Sequence, residues 1–284
     1  GKKFYGPTTF RKGIEYSRNL MTVRIAKTLG LQEILRLSRE LNIYENIPEL
    51  LSVSLGAAET TLINLTSAYA SFVNGGKKIK PKLISRIQDR RGKTIFQEKD
   101  RKCIGCDKFI SDGLELPRIE STSNRVISPE TAYQMTSILE GTVKRGTAKS
   151  LRSLKVPLAG KTGTTNDNYD AWFIGFSSNV VVGVYIGYDN PKTLGKNETG
   201  SKAALPIFKD FIENALYKED FKDFIIPENI YLTSLNYDTG LKSFPGDKKS
   251  IVEALKFKDI NNLNNNNLIS SNGSDKFIIF RQFY

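Results

Sequence analysis

The sequence predicts a mixed α and β fold, and three observations carry that expectation. Apolar residues recur at helical spacing between residues 20 and 73, and a well-capped helix is expected from Ser128 to about Lys144. Three strand-like runs then follow between residues 157 and 188, and a helix over about 203–216 presents Leu205, Phe208, Ile212 and Leu216 to cover the sheet.

Residues 1–19 read as polar and turn-rich, with Gly6-Pro7 as punctuation, and lead into Ser17-Arg18-Asn19. Leu20, Val23 and Ala26 share a helix face that Gly30 ends. Leu31, Ile34, Leu35, Ser38 and Leu41 continue the period, so these two helices are expected to form a buried hairpin. Pro48 breaks the pattern, and 60–73 is again amphipathic, with Leu62, Leu65, Tyr69, Phe72 and Val73 on one side and Gly75-Gly76 closing it. A hairpin is expected over 79–87 and 93–97 around Asp89-Arg90-Arg91-Gly92, then an irregular exposed insertion over about 98–126.

At Ser128-Pro129-Glu130 the serine can cap free amides, the proline suits a first turn, and the glutamate complements the helix dipole. Tyr133, Met135, Ile138 and Leu139 are candidate core positions of that helix. The expected strands are 158–164, 171–176 and 180–188, the last two joined by Ser177-Ser178-Asn179. Further on, 231–237 and 241–244 read as a hairpin around Asp238-Thr239-Gly240. An Asn-rich tract at 261–267 reads as a linker, and 277–284 as an aromatic tail.

Lysine and arginine outnumber aspartate and glutamate by 42 to 30, a net charge of +12. The lysines are scattered singly and no basic helix or aromatic-plus-arginine cluster accompanies them, so no nucleic-acid partner is expected. Histidine is absent, which excludes Ser-His-Asp triads and histidine zinc sites within this chain. Any general base must be a lysine, tyrosine, carboxylate or hydroxyl. Cys103 and Cys106 are half a zinc ribbon with no second pair, and read as a local disulfide or two idle thiols. No apolar run is long enough to span a membrane, and the first residue is glycine, which favours a piece of a longer protein whose export signal or anchor lies upstream.

Lys161-Thr162-Gly163-Thr164 is the stretch richest in chemistry. It offers an ammonium, two hydroxyls and a glycine backbone along which a peptide can lie, a combination suited to a carboxylate. The Thr164 amide could point at a developing oxyanion. A phosphate-binding loop is rejected, because Lys155 stands where the first glycine is required and strands follow instead of a helix. Ser17-x-Asn19 lies upstream at the head of an expected helix. Two readings of Ser17 stay open here: a helix cap, or a proton relay with Asn19 gripping a carbonyl. Ser177-x-Asn179, Ser234-x-Asn236 and Ser270-x-Asn272 share the pattern but read as turns or linker.

Three ordered stretches, Gly6 through Arg24, Leu55 through Gly76, and Gly160 through Phe176, resemble the transpeptidase domain of class A penicillin-binding proteins of the 1A type. The resemblance spans about residues 1–250. It implies an α/β (α+β) sandwich with an antiparallel sheet between helical layers. It also implies D,D-transpeptidase activity on D-Ala-D-Ala stem peptides of peptidoglycan, acylation by β-lactams, and no metal or cofactor. Ser17 would shuttle protons to the leaving group, Asn19 would hold the substrate amide, and Lys161 would support the shuttle. Thr162, Gly163 and Thr164 would bind the terminal carboxylate, with the Thr164 amide in the oxyanion hole.

The sequence departs from the family at one place, since no serine in it is followed by lysine three residues on. The acylated serine and its lysine are therefore expected upstream of Gly1, together with a glycosyltransferase domain and a membrane anchor, on the periplasmic face of the inner membrane. On this reading residues 1–217 are a partial transpeptidase domain with a hairpin and Cys-containing insertion at about 79–126, 218–260 are a C-terminal hairpin extension, and 261–284 are an Asn-rich linker and tail. The chain alone is expected to be inactive and to expose apolar surface on its helical side. A serine β-lactamase or D,D-carboxypeptidase, or a non-catalytic module of the same fold, are the alternatives.

Overall fold

The computed structural model describes residues 5–98, 101–106, 117–121, 123–217 and 220–263. Its centre is a three-stranded antiparallel sheet of β5 (Ala159–Thr164), β6 (Ala171–Phe176) and β7 (Val181–Ile186), in the order β5-β6-β7. The register runs Lys161 opposite Ile174 and Gly163 opposite Trp172, with Gly175 opposite Val182. Ser177 N–H donates to the Val180 carbonyl at 2.9 Å and makes the expected tight turn.

Both faces of β6 are covered, as the uninterrupted apolar run of this central strand requires. On one face Phe173 meets Phe208 edge-on at 4.8 Å, within a core that includes Leu158, Leu205 and Ile212 from the strand entry and α6 (Leu205–Ala215). On the other, Phe176 packs with Leu139 of α5 (Pro129–Lys144) and with Tyr69 of α4 (Leu62–Val73). Gly183 lets α4 approach β7, because a Cβ there would collide with the Thr66 hydroxyl. The fold is thus the α+β sandwich that was expected.

The helix cap expected at Ser128 is present. The Ser128 hydroxyl accepts from Thr131 N–H at 3.2 Å. The buried face of α5 is built from Ala132, Thr136, Ile138, Leu139 and Thr142, whereas Tyr133 and Met135 are half-buried. Thr142, fully buried, donates to the Gly160 carbonyl and so ties α5 to the edge strand β5. Thr142→Val leaves that carbonyl unpaired and should destabilise the fold by about 1–3 kcal/mol, measurable by urea denaturation.

Several expectations are corrected. Residues 10–15 form a short helix, α1 (Phe10–Glu15), capped by Thr9. The helices α2 (Asn19–Leu29) and α3 (Leu31–Glu40) do pack together, but they are not a buried hairpin. Only Ala26, Leu35, Ser38 and the following Leu41 are buried, while Leu20 is 56% and Ile63 on α4 58% exposed. Apolar surface on the helical side is therefore open, as expected.

The strand predicted over 79–87 shortens to β1 (Arg86–Gln88), paired with β2 (Thr94–Gln97), since Pro81 supplies no N–H for a ladder. The insertion is not irregular throughout: β3 (Arg101–Ile104) pairs with β4 (Arg118–Ser121), and Cys103 and Cys106 form a disulfide at its end. Strand β8 (Ile230–Asn236) pairs fully with β9 (Ser250–Lys256), and the expected hairpin with 241–244 is present only as a short one. Segment 241–244 makes only a bridge from Lys242 to Leu235 before Pro245-Gly246 turns the chain away. Apart from the end of a 3-10 helix at Phe257–Leu263, the Asn-rich tract and tail lie outside the described residues.

Candidate active site

Three elements converge at the outer edge of β5. The first is the turn after α1, where Ser17 N–H donates to Ile14 O at 3.0 Å and Arg18 N–H to Gly13 O at 2.8 Å. These bonds hold Ser17 at φ +53°, a left-handed conformation unusual for serine. The cap position of α2 is Arg18, which makes no side-chain cap bond. The helix-cap reading of Ser17 is thereby removed. Its hydroxyl instead accepts from Lys161 Nζ at 2.5 Å, across 144 residues of sequence.

Strand β5 is the second element. Lys161 Nζ also donates to the Thr162 carbonyl at 2.8 Å. Gly160 O is taken by Thr142 and Thr162 O by Lys161, so the backbone groups of the even-numbered residues face away from β6. By the two-residue repeat of a strand, Thr164 N–H turns to that same open edge.

The third element is the chain after α5. Thr147 Oγ1 lies 2.9 Å from Thr162 Oγ1, while Thr164 Oγ1 accepts from Gly200 N–H at 3.0 Å. Accepting that bond leaves the Thr164 proton free to donate outward, and if Thr147 donates to Thr162 the same holds there. Gly163 lies beneath Gly200, where a Cβ would strike the Gly163 and Trp172 carbonyls. Asp170 N–H donates to Thr165 Oγ1 at 2.7 Å and Tyr185 OH to Asp170 Oδ1 at 2.9 Å, bracing the turn beyond Thr164.

The structure therefore joins Ser17, Lys161, Thr162 and Thr164 around one edge. Asn19 is exposed at the first position of α2 and forms no hydrogen bond with Lys161 or Ser17. Sequence reading missed Thr147, Gly200 and, behind Ser17, the buried Glu15. Thr147 and Gly200 are joined to the site only by the fold, and Glu15, though two residues before Ser17, meets Arg145 and Tyr237 only across the fold, so no spacing in the chain announces them.

Burial pushes the Lys161 ammonium down to about 8 from its ordinary 10.5. At neutral pH it remains mostly a cation, donating to Ser17 while the Ser17 proton stays available to another acceptor. An amine-selective reagent should therefore modify Lys161 with a midpoint near pH 8, below that of exposed lysines. The unfolded chain holds its Lys161 proton up to a higher pH than the folded chain does. Folding stability should consequently rise with pH between about 8 and 10.5, and Lys161→Met should flatten that rise in a pH series of denaturation curves.

Known proteins resemble this chain in sequence and in fold. Residues 2–213 match the penicillin binding protein transpeptidase domain family. Penicillin-binding protein 1A of Rickettsia bellii is 43% identical over 264 residues, covering 91% of this chain and 32% of the relative. That of Rickettsia conorii is 41% identical, covering 95% and 34%. The crystal structure of penicillin-binding protein 1A from Haemophilus influenzae superposes with a TM-score of 0.73 at 29% identity, over 88% of this chain and 40% of that one. The PonA1 protein of Mycobacterium tuberculosis in complex with penicillin V shares the fold, with a TM-score of 0.59 at 19% identity over 77% and 58% of the two chains. The chain spans about a third of the length of the curated relatives it matches.

Proposed function

Because the chain belongs to the penicillin-binding protein transpeptidase family, we propose that it forms the proton-relay and carboxylate-binding walls of a peptidoglycan D,D-transpeptidase site. The observation that carries this reading is the 2.5 Å bond from Lys161 Nζ to Ser17 Oγ. It places a hydroxyl against a cation with its own proton free, the arrangement needed to protonate a leaving amine. Ser17, Lys161 and Asn19 are the proposed catalytic residues, with Asn19 taking the substrate amide from the head of α2. Thr162, Gly163 and Thr164 receive the terminal carboxylate of a D-Ala-D-Ala stem peptide or the carboxylate of a β-lactam. The Thr164 N–H serves the oxyanion.

The chemistry is acyl transfer through a serine ester. The nucleophile belongs to a Ser-x-x-Lys segment that this sequence does not contain, so the chain on its own forms no acyl-enzyme. In the longer protein the site would work at the periplasmic face of the bacterial inner membrane, held there by an anchor outside this chain. Among the described residues no helix is long and apolar enough to cross a membrane.

Fluorescent penicillin tests the reading. The chain alone should carry no covalent label, and its fusion behind an upstream segment bearing Ser-x-x-Lys should become labelled. A covalent adduct on the chain alone would overturn the assignment of the nucleophile.

A further inference from the structure

The β8–β9 hairpin lies beyond the stretch that matches the transpeptidase family, yet it grips the segment that presents Ser17. Every polar side chain on one side of α1 is met by it. Thr9 Oγ1 donates to the Tyr237 carbonyl at 3.1 Å, Arg11 Nε to Glu253 Oε2 at 2.5 Å, and Lys12 Nζ to Asp238 Oδ1 at 2.5 Å. The Tyr237 hydroxyl donates to Glu15 Oε2 at 2.6 Å. Glu15 is fully buried two residues before Ser17, and its other bonds come from the Arg145 guanidinium, at 3.0 Å from Nε and 2.5 Å from Nη2. Its carbonyl accepts from Thr147 N–H at 3.2 Å, and Thr147 is the residue whose hydroxyl meets Thr162.

We propose that the β8–β9 hairpin is a positioning clamp for the active site, acting through Tyr237 on Glu15 to fix where Ser17 and Thr147 stand. Tyr237 is a positioning residue and touches no reacting atom. The consequence for catalysis rests on the reading of Ser17 as proton relay; the clamp itself rests on the contacts alone. Ser17 sits in a left-handed conformation that an L-residue keeps only when its surroundings over-determine it. The turn bonds to Ile14 and Gly13 set that conformation locally, and Glu15 anchors the turn to the rest of the molecule.

Tyr237→Phe removes the hydroxyl and keeps the ring. Hydrogen exchange at the Ser17, Arg18 and Thr147 amides should accelerate about tenfold, with the β6 amides unchanged. Asp238→Asn, which loosens α1 from the hairpin without touching Glu15, should give a smaller acceleration at the same amides. The midpoint of Lys161 titration, followed by NMR, should move in the same direction in Tyr237→Phe as in Ser17→Ala. Ile212→Val, a core change in α6, should leave both readouts unchanged and controls for loss of stability alone. Unchanged exchange at Ser17 and Thr147 in Tyr237→Phe, or acceleration equally shared by β6, would overturn the clamp. Local acceleration together with a Lys161 midpoint that Ser17→Ala does not move supports the clamp and removes Ser17 as the lysine's partner.

Discussion

Lys161→Met, in a polypeptide that supplies the Ser-x-x-Lys segment, is expected to slow acylation by penicillin by about 100- to 10,000-fold with the fold intact. Methionine matches the aliphatic stem, and burial already disfavours the ammonium, so the substitution removes charge without leaving a buried partner ion. What it removes is the donor that polarises Ser17 and the positive charge beside the proposed carboxylate site. Ser17→Ala should have an effect of the same order. Combining the two should add little, because the proposed relay passes through both groups in series. The measurement is the second-order rate of fluorescent penicillin labelling. A loss below about threefold in Lys161→Met would remove the ammonium from the mechanism.

Much of this site could be read from the chain because its parts are local. The run Ala171–Phe176 has the predicted bounds, since an apolar segment between a polar turn and Ser177-Ser178-Asn179 has few other ways to be buried. Ser17 and Ser177 share a pattern and separate by surroundings. The Ser177 hydroxyl donates to Asn179 Oδ1 at 2.8 Å and accepts from Val180 N–H at 3.3 Å, closing a turn, whereas Ser17 turns to a lysine from another element. Ser234 falls within β8 and Ser270 lies outside the described residues.

What stayed hidden was either too short or too distant. Helix α1 has six residues with a glycine inside, less than two turns, so no apolar period can establish it. Strand β9 shows alternation, but its pairing with β8 spans a long intervening segment, and the nearer 241–244 offered the simpler hairpin. The pairing of Thr147 with Thr162 and of Glu15 with Arg145 joins α1, α5 and β5 through contacts that only the assembled sandwich creates.

Glu15→Ala is expected to be the most destabilising change in this network, by about 3–5 kcal/mol, because it takes a fully buried anion from the buried Arg11 and the half-buried Arg145. The Arg11 guanidinium lies 3.5 Å from Glu15 and retains Glu253, but Arg145 loses both of its bonds and the Tyr237 hydroxyl loses its acceptor. A methyl group cannot fill the space, and α5 cannot close over it, since Gly141 and Gly146 already let the helix approach so nearly that a Cβ at either would strike Glu15. Glu15→Gln keeps the volume and one acceptor and should lose less. The exposed pairs of Arg36 with Glu33 and Glu40 have similar lengths, yet Arg36→Ala should change stability little, because water replaces what is lost. Urea denaturation of the three variants ranks them directly. If Glu15→Ala unfolds no earlier than Arg36→Ala, the buried network does not hold α1 to α5, and the position of Ser17 must be set by its own turn.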